Sequence, residues 1–143
     1  MKISLPDVNV WIAIAAEGHV DHPIAREWFQ SQPSEAIAFC RISQMGLLRL
    51  LTNPKVMRTA TRTLENAWEL YDDLLSDRRV VFADEPAGLT HGWRSLTKSG
   101  TWGVNTWTDA YLAAFALEYS FTFVTFDSGF RKWPELQCVY LMT

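Results

Sequence analysis

The sequence lacks the features of a secreted or membrane-bound protein. Its 143 residues include only two cysteines, Cys40 and Cys138, which match no metal-binding spacing and are too few for a disulfide framework. We expect both to be buried as small hydrophobic residues. No apolar run reaches the roughly 18–20 residues that cross a bilayer, and the N-terminal MKISLPD lacks the apolar segment of a signal peptide. We therefore expect a cytoplasmic protein that does not bind membranes.

Positive charge is also scarce, with 13 Lys and Arg against 16 Asp and Glu, a net charge of −3. Proteins that bind nucleic acids are usually basic. An acidic chain is still compatible with nucleic acid, because carboxylates that hold metal ions present positive charge to phosphate.

Histidine is equally sparse, and the few present argue against metal-free ribonuclease chemistry, which would use a positioned histidine pair. His91 stands alone in the sequence, whereas His19 and His22 lie three residues apart. Those two could share a metal ion, but no third ligand is evident, and a solvated loop also explains them. Aromatic residues, in contrast, are abundant, with seven Trp and eight Phe, which makes self-association plausible.

Apolar runs alternate with segments of helical periodicity along the chain. The expected strands are Ile3–Leu5, Ala36–Cys40, Val80–Ala83, Phe121–Phe126 and Cys138–Met142. The expected helices are Val8–Ala16, Pro23–Gln32, Ser43–Leu51, one from Leu64 to Leu75 capped by Thr61 or Thr63, Leu89–Thr97, and one beginning near Thr108. Helices between strands imply parallel crossovers. The pattern therefore predicts an α/β fold, a three-layer α/β/α sandwich around a mainly parallel sheet of about five strands.

Three aspartates fall where such a sheet places its ligands, outside the carboxyl ends of the strands. Asp7 follows the first strand, Asp127 follows the fourth, and Asp109 lies in the first turn of a helix. Each has a simpler explanation. Asp7 could be a helix N-cap, Asp109 could complement the helix dipole, and Asp127 could be a turn residue.

If the three carboxylates converge, they repel one another and raise each other's pKa unless a cation is bound. A carboxylate-rich site without thiolates or paired histidines suits Mg²⁺ or Mn²⁺ better than Zn²⁺. Such ions hold phosphate oxygens and activate water for in-line attack.

Three ordered motifs carry a resemblance to a known family. These are Asp7-Val8-Asn9, the stretch Thr108–Ala114 (TDAYLAA) and Thr125-Phe126-Asp127-Ser128. Together they resemble PIN domains, and more narrowly VapC-type toxins of toxin–antitoxin systems. The stretch 43–54 (SQMGLLRLLTNP) is similar to one found in a subgroup of those toxins. The resemblance covers essentially the whole chain, so we expect residues 1–143 to form a single PIN domain.

The resemblance implies an endoribonuclease in which metal-bound water hydrolyses an RNA phosphodiester and leaves 5′-phosphate and 3′-hydroxyl ends. It implies Asp7, Asp109 and Asp127 as ligands of Mg²⁺ or Mn²⁺, directly or through water. Asn9 would orient Asp7 or the water by hydrogen bonding. Thr108 or Ser128 would be a secondary candidate for contacting a carboxylate or a phosphate. The implied partners are a transfer or ribosomal RNA substrate, a cognate antitoxin whose C-terminal tail crosses the acidic groove, and a second copy of the chain in a homodimer.

One position departs from the family pattern. The family usually places a Glu at the start of the helix after the second strand, where this chain has Gln44. A Gln carbonyl can still ligate a hard cation or its water, but it brings no charge, so a second metal ion is in doubt. The alternative is a catalytically weak or inactive PIN domain that acts as an RNA- or antitoxin-binding module. Phosphatases and receiver domains also carry strand-end aspartates, but a phosphatase of the DxD type would need Asp where Asn9 stands.

RNA contacts are expected from basic and aromatic side chains near the same edge, although a solvated surface explains each basic residue equally well. The basic candidates are Arg41, Lys55, Arg58, Arg62, Arg131 and Lys132. Trp102 and Trp107 flank the start of the Asp109 helix and could stack on unpaired bases, with a core or dimer-interface role as the alternative. Asn105 or Thr106 is expected to cap that helix.

Overall fold

The computed structural model describes residues 2–142, which form a five-stranded sheet in the order β3-β2-β1-β4-β5. The strands are β1 (Ser4–Pro6), β2 (Ile37–Phe39), β3 (Val80–Phe82), β4 (Thr122–Thr125) and β5 (Cys138–Tyr140). All neighbouring strands are parallel. The chain moves outward from β1 to β3 and then returns to β4 on the other side of β1. The strand order therefore reverses between β1 and β4, and such a switch point opens a crevice at the carboxyl ends of the strands.

Seven helices of the described residues cover the two faces of this sheet. They are α1 (Val8–Ala15), α2 (His22–Gln30), α3 (Arg41–Leu51), α4 (Pro54–Met57), α5 (Leu64–Ser76), α6 (Leu89–Thr97) and α7 (Thr106–Tyr119). Short 3₁₀ turns occupy Arg58–Ala60 and Ser128–Lys132. The expected three-layer architecture is confirmed.

The central strands β2 and β4 are buried on both faces because alternate side chains enter two separate apolar clusters. In β2, Ile37 and Phe39 pack with α1, α2, α3 and α5, where the Trp11 and Phe39 rings stack 3.7 Å apart. Ala38 points the other way and packs with α6 and α7. Side chains from every layer thus hold the sheet between two helical layers.

Several element boundaries differ from the sequence-based expectation. Strands β2 to β5 are each shorter than the apolar run that predicted them, and β1 has the predicted length but begins one residue later, at Ser4. Helix α3 begins at Arg41 and α7 at Thr106, each two residues earlier than expected. Segments Pro54–Met57 and 58–60 are helical although no helix was predicted there. The cap of α5 is Thr63, whose side chain accepts a hydrogen bond from the backbone N–H of Asn66.

The cysteine prediction is correct for one residue and wrong for the other. Cys40 is fully buried at the end of β2. Cys138 is only partly buried, because it lies on β5, an edge strand that has a single neighbour. Both thiols are free. Over residues 2–142, no helix combines the length and the hydropathy that a membrane crossing requires.

Candidate active site

The carboxyl ends of β1 and β4 lie side by side and bring two of the three predicted aspartates to the switch point. The register pairs Pro6 with Val124, and the backbone N–H of Asp7 donates to the carbonyl of Val124 over 2.8 Å. Asp7 thus lies beside Thr125, and Thr125 precedes Asp127 by two residues in the chain. Helix α7 leads into β4, so its first turn, with Asp109, starts at the same edge of the sheet.

Asp7 is nearly buried, with 9% of its surface exposed, and both of its carboxylate oxygens accept hydrogen bonds. Oδ1 accepts from the backbone N–H of Val8 and Oδ2 accepts from the hydroxyl of Thr125, each over 2.8 Å. The first bond makes Asp7 the N-cap of α1, so the simpler explanation applies to it. A capping carboxylate keeps unused lone pairs on both oxygens, and this role therefore leaves it able to bind a cation.

Thr125 connects the polar groups of the site, although the sequence reasoning did not single it out. Its hydroxyl donates to Asp7 and accepts from the backbone N–H of Asp127 over 3.0 Å and from Nδ2 of Asn9 over 3.4 Å. The side chain is fully buried, and these three bonds use the one donor and two acceptors of a hydroxyl. The sequence signals for it were its place in the motif Thr125-Phe126-Asp127-Ser128 and its position at the end of a buried strand, where its hydroxyl needs a partner.

Asn9 fastens helix α1 to the end of β4. Besides its contact with Thr125, its Oδ1 accepts from the backbone N–H of Phe126 over 3.5 Å. Asn9 was expected to orient Asp7 or a water molecule. In the structure Asn9 acts on Asp7 indirectly: its side chain contacts Thr125, and Thr125 contacts Asp7.

Asp127 and Asp109 occupy more open positions. Asp127 is exposed, and its Oδ1 accepts from the backbone N–H of Gly129 over 2.8 Å, so it also serves as a turn residue. Asp109 is partly buried, and its backbone N–H closes the first turn of α7 on the carbonyl of Asn105. Asn105 is the N-cap residue of that helix, but its side chain makes no capping bond.

The three carboxylates act on one another electrostatically. Burial raises the pKa of Asp7, and the charge of Asp127 adds to this rise, while hydrogen bonds from Thr125 and Val8 oppose it. Burial, followed by the charges of Asp7 and Asp127, raises the pKa of Asp109 to about 6, with only Lys132 opposing. The predicted acids from three distant stretches therefore share one electrostatic environment.

This coupling does not amount to a compact ligand set. Within residues 2–142, no three Asp, Glu, His or Cys side chains lie together closely enough to hold a metal ion. The two observations differ because charges influence one another over much longer distances than the roughly 2.0–2.6 Å of a bond to Mg²⁺ or Ca²⁺. What fits a divalent cation is the donor chemistry: three oxygen ligands whose mutual repulsion a cation would relieve.

Gln44 is buried but makes its contacts elsewhere. Its Oε1 accepts from Nη1 of Arg41 over 2.6 Å. Burial raises the pKa of Tyr71, and the neighbouring Gln44 amide and Arg41 charge oppose this rise, although the Tyr71 hydroxyl lacks a partner in hydrogen-bond geometry. These contacts join Gln44 to Arg41 and bring it beside Tyr71 of α5.

The histidines near residue 20 take part in local backbone bonding. Nδ1 of His22 lies 2.8 Å from the carbonyl oxygen of Ala13, and Nδ1 of His19 accepts from the backbone N–H of Asp21 over 3.0 Å. These contacts explain the pair without a metal ion.

The basic residues expected near the site are exposed, and some of them stack on aromatic rings. The guanidinium of Arg131 lies 4.3 Å from the ring centre of Tyr140, and the Arg41 guanidinium lies 5.1 Å from that of Phe82. Arg62 donates to Asn66. Lys132 is the cation that acts on Asp109.

Comparison with known proteins assigns the family. The PIN domain family matches residues 4–136. Ribonuclease VapC41 of Mycobacterium tuberculosis is 41% identical over 138 residues, which span 93% of this chain and 94% of that protein. Ribonuclease VapC38 of the same organism is 30% identical, over 89% of this chain and 86% of that protein.

Solved structures agree on the fold. A DNA-bound VapBC from Salmonella typhimurium superposes with a TM-score of 0.72 at 16% identity, covering 98% of both chains. VapC20 of Mycobacterium tuberculosis, described as a toxin that cleaves the sarcin–ricin loop, gives 0.67 at 19% identity, covering 90% of this chain and 93% of that one. The chain belongs to the PIN domain family. Its relatives there are VapC ribonucleases, which confirms the resemblance inferred from the sequence.

Proposed function

We propose that this chain is an endoribonuclease, the toxin of a toxin–antitoxin pair, and that it cleaves RNA with the help of Mg²⁺ or Mn²⁺. The observation that carries the proposal is the electrostatic coupling of Asp7, Asp109 and Asp127 at the switch point of the sheet. The ribonuclease names of relatives that align along nearly the whole chain support the same activity.

The proposed metal ligands are Asp7, Asp109 and Asp127. Bound there, a divalent ion would supply positive charge for the phosphate and lower the pKa of an attacking water. The chain's own contribution is to hold the carboxylates in place. Thr125 and the N-terminus of α1 fix Asp7, and the turn at Gly129 fixes Asp127. Asn9 supports this arrangement through Thr125.

We assign Gln44 a supporting role outside this set, because its amide oxygen is engaged by Arg41. The three aspartates alone would then provide the charge that holds the cation. A catalytically inactive binding module would not require them to be coupled, and for this reason the active enzyme is the preferred interpretation.

The proposed partners follow from the relatives. Complexes of VapB with VapC are among the solved structures with this fold, and we propose that a cognate antitoxin binds this chain as well. Homodimer formation and a cytoplasmic location are further parts of the proposal. Light scattering of the purified chain tests the first of these, since a monomer at all concentrations would contradict it.

The decisive experiment is RNA cleavage by the purified chain. We expect wild type to cleave members of a panel of transfer and ribosomal RNA fragments in Mn²⁺ but not in EDTA, and we expect Asp7→Asn to be inactive. A matched control is Asp72→Asn on the exposed side of α5, which should cleave like wild type. Cleavage by wild type and Asp7→Asn at equal rates would contradict the proposed site, and absence of cleavage under all conditions would contradict the proposed activity.

A further inference from the structure

A groove of about 630 Å³ lies between α6 and the start of α7, outside the carboxylate site. Its aromatic wall is built from Trp93 and Trp107, whose rings meet edge to face with centres 6.0 Å apart. Nε1 of Trp93 donates to the backbone carbonyl of Trp107 over 3.0 Å, and the Trp93 ring also packs against Tyr111. Trp93 is therefore held from two sides, while Trp107 keeps 58% of its surface exposed.

The polar wall of the groove carries two cations, Arg94 and Lys98. They line it together with His91, and all three side chains are exposed. Their spacing of three and four residues places them on one face of α6 and its C-terminal end. No carboxylate lines the groove among the residues that the structure describes. In a chain with a net charge of −3, this local excess of cations is complementary to a polyanion.

The groove and the carboxylate site share the first turn of α7. Trp107 and Asp109 are two residues apart, which places their side chains on opposite sides of the helix. A helix is about 10 Å across, and a stacked nucleotide advances about 3.4 Å along its strand. A strand held at Asp109 would thus reach Trp107 within about three nucleotides.

We propose that this groove binds unpaired nucleotides of the substrate RNA, with Trp107 stacking on a base and with Arg94 and Lys98 contacting the adjacent phosphates. The inference rests on the proposed function and adds to it the surface that holds RNA beside the cleaved bond. An exposed aromatic ring flanked by cations is the arrangement with which proteins hold single strands independently of sequence. If the groove instead bound an apolar segment of a protein partner, the cations Arg94 and Lys98 on its wall would not be needed.

The test is binding of a fluorescent uridine decamer, followed by anisotropy in EDTA so that no cleavage occurs. We expect Trp107→Ala to weaken binding about 5- to 100-fold, as loss of one stacked base does elsewhere. The double variant Arg94→Gln, Lys98→Gln should lower the slope of log affinity against log salt by about 1.4. Trp107→Phe keeps an aromatic ring and should bind within a few-fold of wild type, which keeps the test valid should the alanine variant fail to fold.

Matched controls lie on the other face of the sheet. Trp68 is 50% exposed on α5, and Arg49 is exposed on α3. Trp68→Ala and Arg49→Gln should therefore bind RNA like wild type. Their thermal unfolding, compared with that of the groove variants, separates loss of binding from loss of folding.

The outcomes distinguish this inference from the function on which it rests. If wild type binds and cleaves RNA while the groove variants behave like the controls, the groove assignment is wrong and the proposed function stands. If wild type neither binds nor cleaves any RNA of the panel in Mn²⁺, both fail. If the groove variants bind RNA normally but lose a co-expressed antitoxin, the groove holds protein, which also overturns the inference.

Discussion

Replacing Asp109 with asparagine is expected to make the protein more stable while it removes activity. Burial and the charges of two neighbouring aspartates raise the pKa of Asp109 to about 6. Keeping this carboxylate ionised therefore lowers the free energy of unfolding. Asparagine has nearly the same shape and carries no charge. The substitution removes the unfavourable charge and, in the proposed site, also removes a metal ligand.

The magnitude follows from the shift in pKa. A rise from 3.8 to about 6 corresponds to at most about 3 kcal/mol in the free energy of unfolding. Solvent screening at a partly buried site reduces this figure, and the lost interaction of Asp109 with the N-terminus of α7 removes about another 0.3–1 kcal/mol. We expect a net gain of about 1 kcal/mol, or roughly 3–5 °C in Tm for a chain of this size.

The sign of the effect depends on pH. Because the pKa is higher in the folded state, folding takes up protons, and wild type loses stability as pH rises from about 4 to about 6. Asp109→Asn does not titrate at this position. Its advantage should therefore be absent near pH 4 and complete above about pH 7.

The assay is thermal unfolding in EDTA between pH 4 and pH 8. Asp77→Asn is a control with the opposite sign. Burial raises the pKa of Asp77, but hydrogen bonds from Arg79 and the charges of Arg79 and Arg78 outweigh burial and lower it. The Asp77→Asn variant should be less stable than wild type at pH 7, and the two stabilities should become equal as pH falls. If Asp109→Asn is no more stable than wild type at pH 7.5, or gains equally at pH 4, the carboxylates are not coupled as described.

Three further substitutions test the site and the layer behind it. Asp7→Asn should lower RNA cleavage by at least about 100-fold while the chain stays folded, and retained cleavage would remove Asp7 from the chemistry. Thr125→Val leaves Asp7 and Asp127 without their shared hydroxyl. It should lower the free energy of unfolding, measured in urea, by about 1–3 kcal/mol. Thr125→Ser should recover this loss, and an equal loss in both variants would argue against the hydrogen bonds. Gly46→Ala places a methyl group 2.6 Å from Cγ2 of Val8 and should cost about 1–3 kcal/mol, relieved by Val8→Ala; an unchanged Tm would show that α1 and α3 pack less closely than described.

The parallel α/β architecture could be predicted from the sequence because the strands read as short apolar runs between helices. The strand order β3-β2-β1-β4-β5 could not be predicted in this way. The ends of these runs could not be predicted. Strand β4 stops at Thr125 although the apolar pattern continues to Phe126, because the backbone N–H of Phe126 donates to the Asn9 side chain and not to a neighbouring strand. For α7 the apolar periodicity placed the start near Thr108, two residues late, although Asn105 was correctly named as a cap candidate.

For the site, sequence reasoning found the acids but not the residue that organises them. Asp7, Asp109 and Asp127 were visible because the carboxyl ends of parallel strands share one edge. Thr125 was not singled out, because its importance lies in its contacts with Asn9 and Asp7, which are distant from it in the sequence by 116 and 118 positions. The partner of Gln44 was equally hidden, because a sequence does not show which way a side chain on a helix points.

The measurement that tests the central claim most directly is anomalous scattering from a crystal of the wild-type chain soaked in Mn²⁺. The account predicts one manganese peak bounded by the carboxylates of Asp7, Asp109 and Asp127, with oxygen distances of roughly 2.0–2.3 Å for the direct ligands. A manganese peak that avoids all three carboxylates, or no peak at the carboxyl ends of β1 and β4, would contradict it.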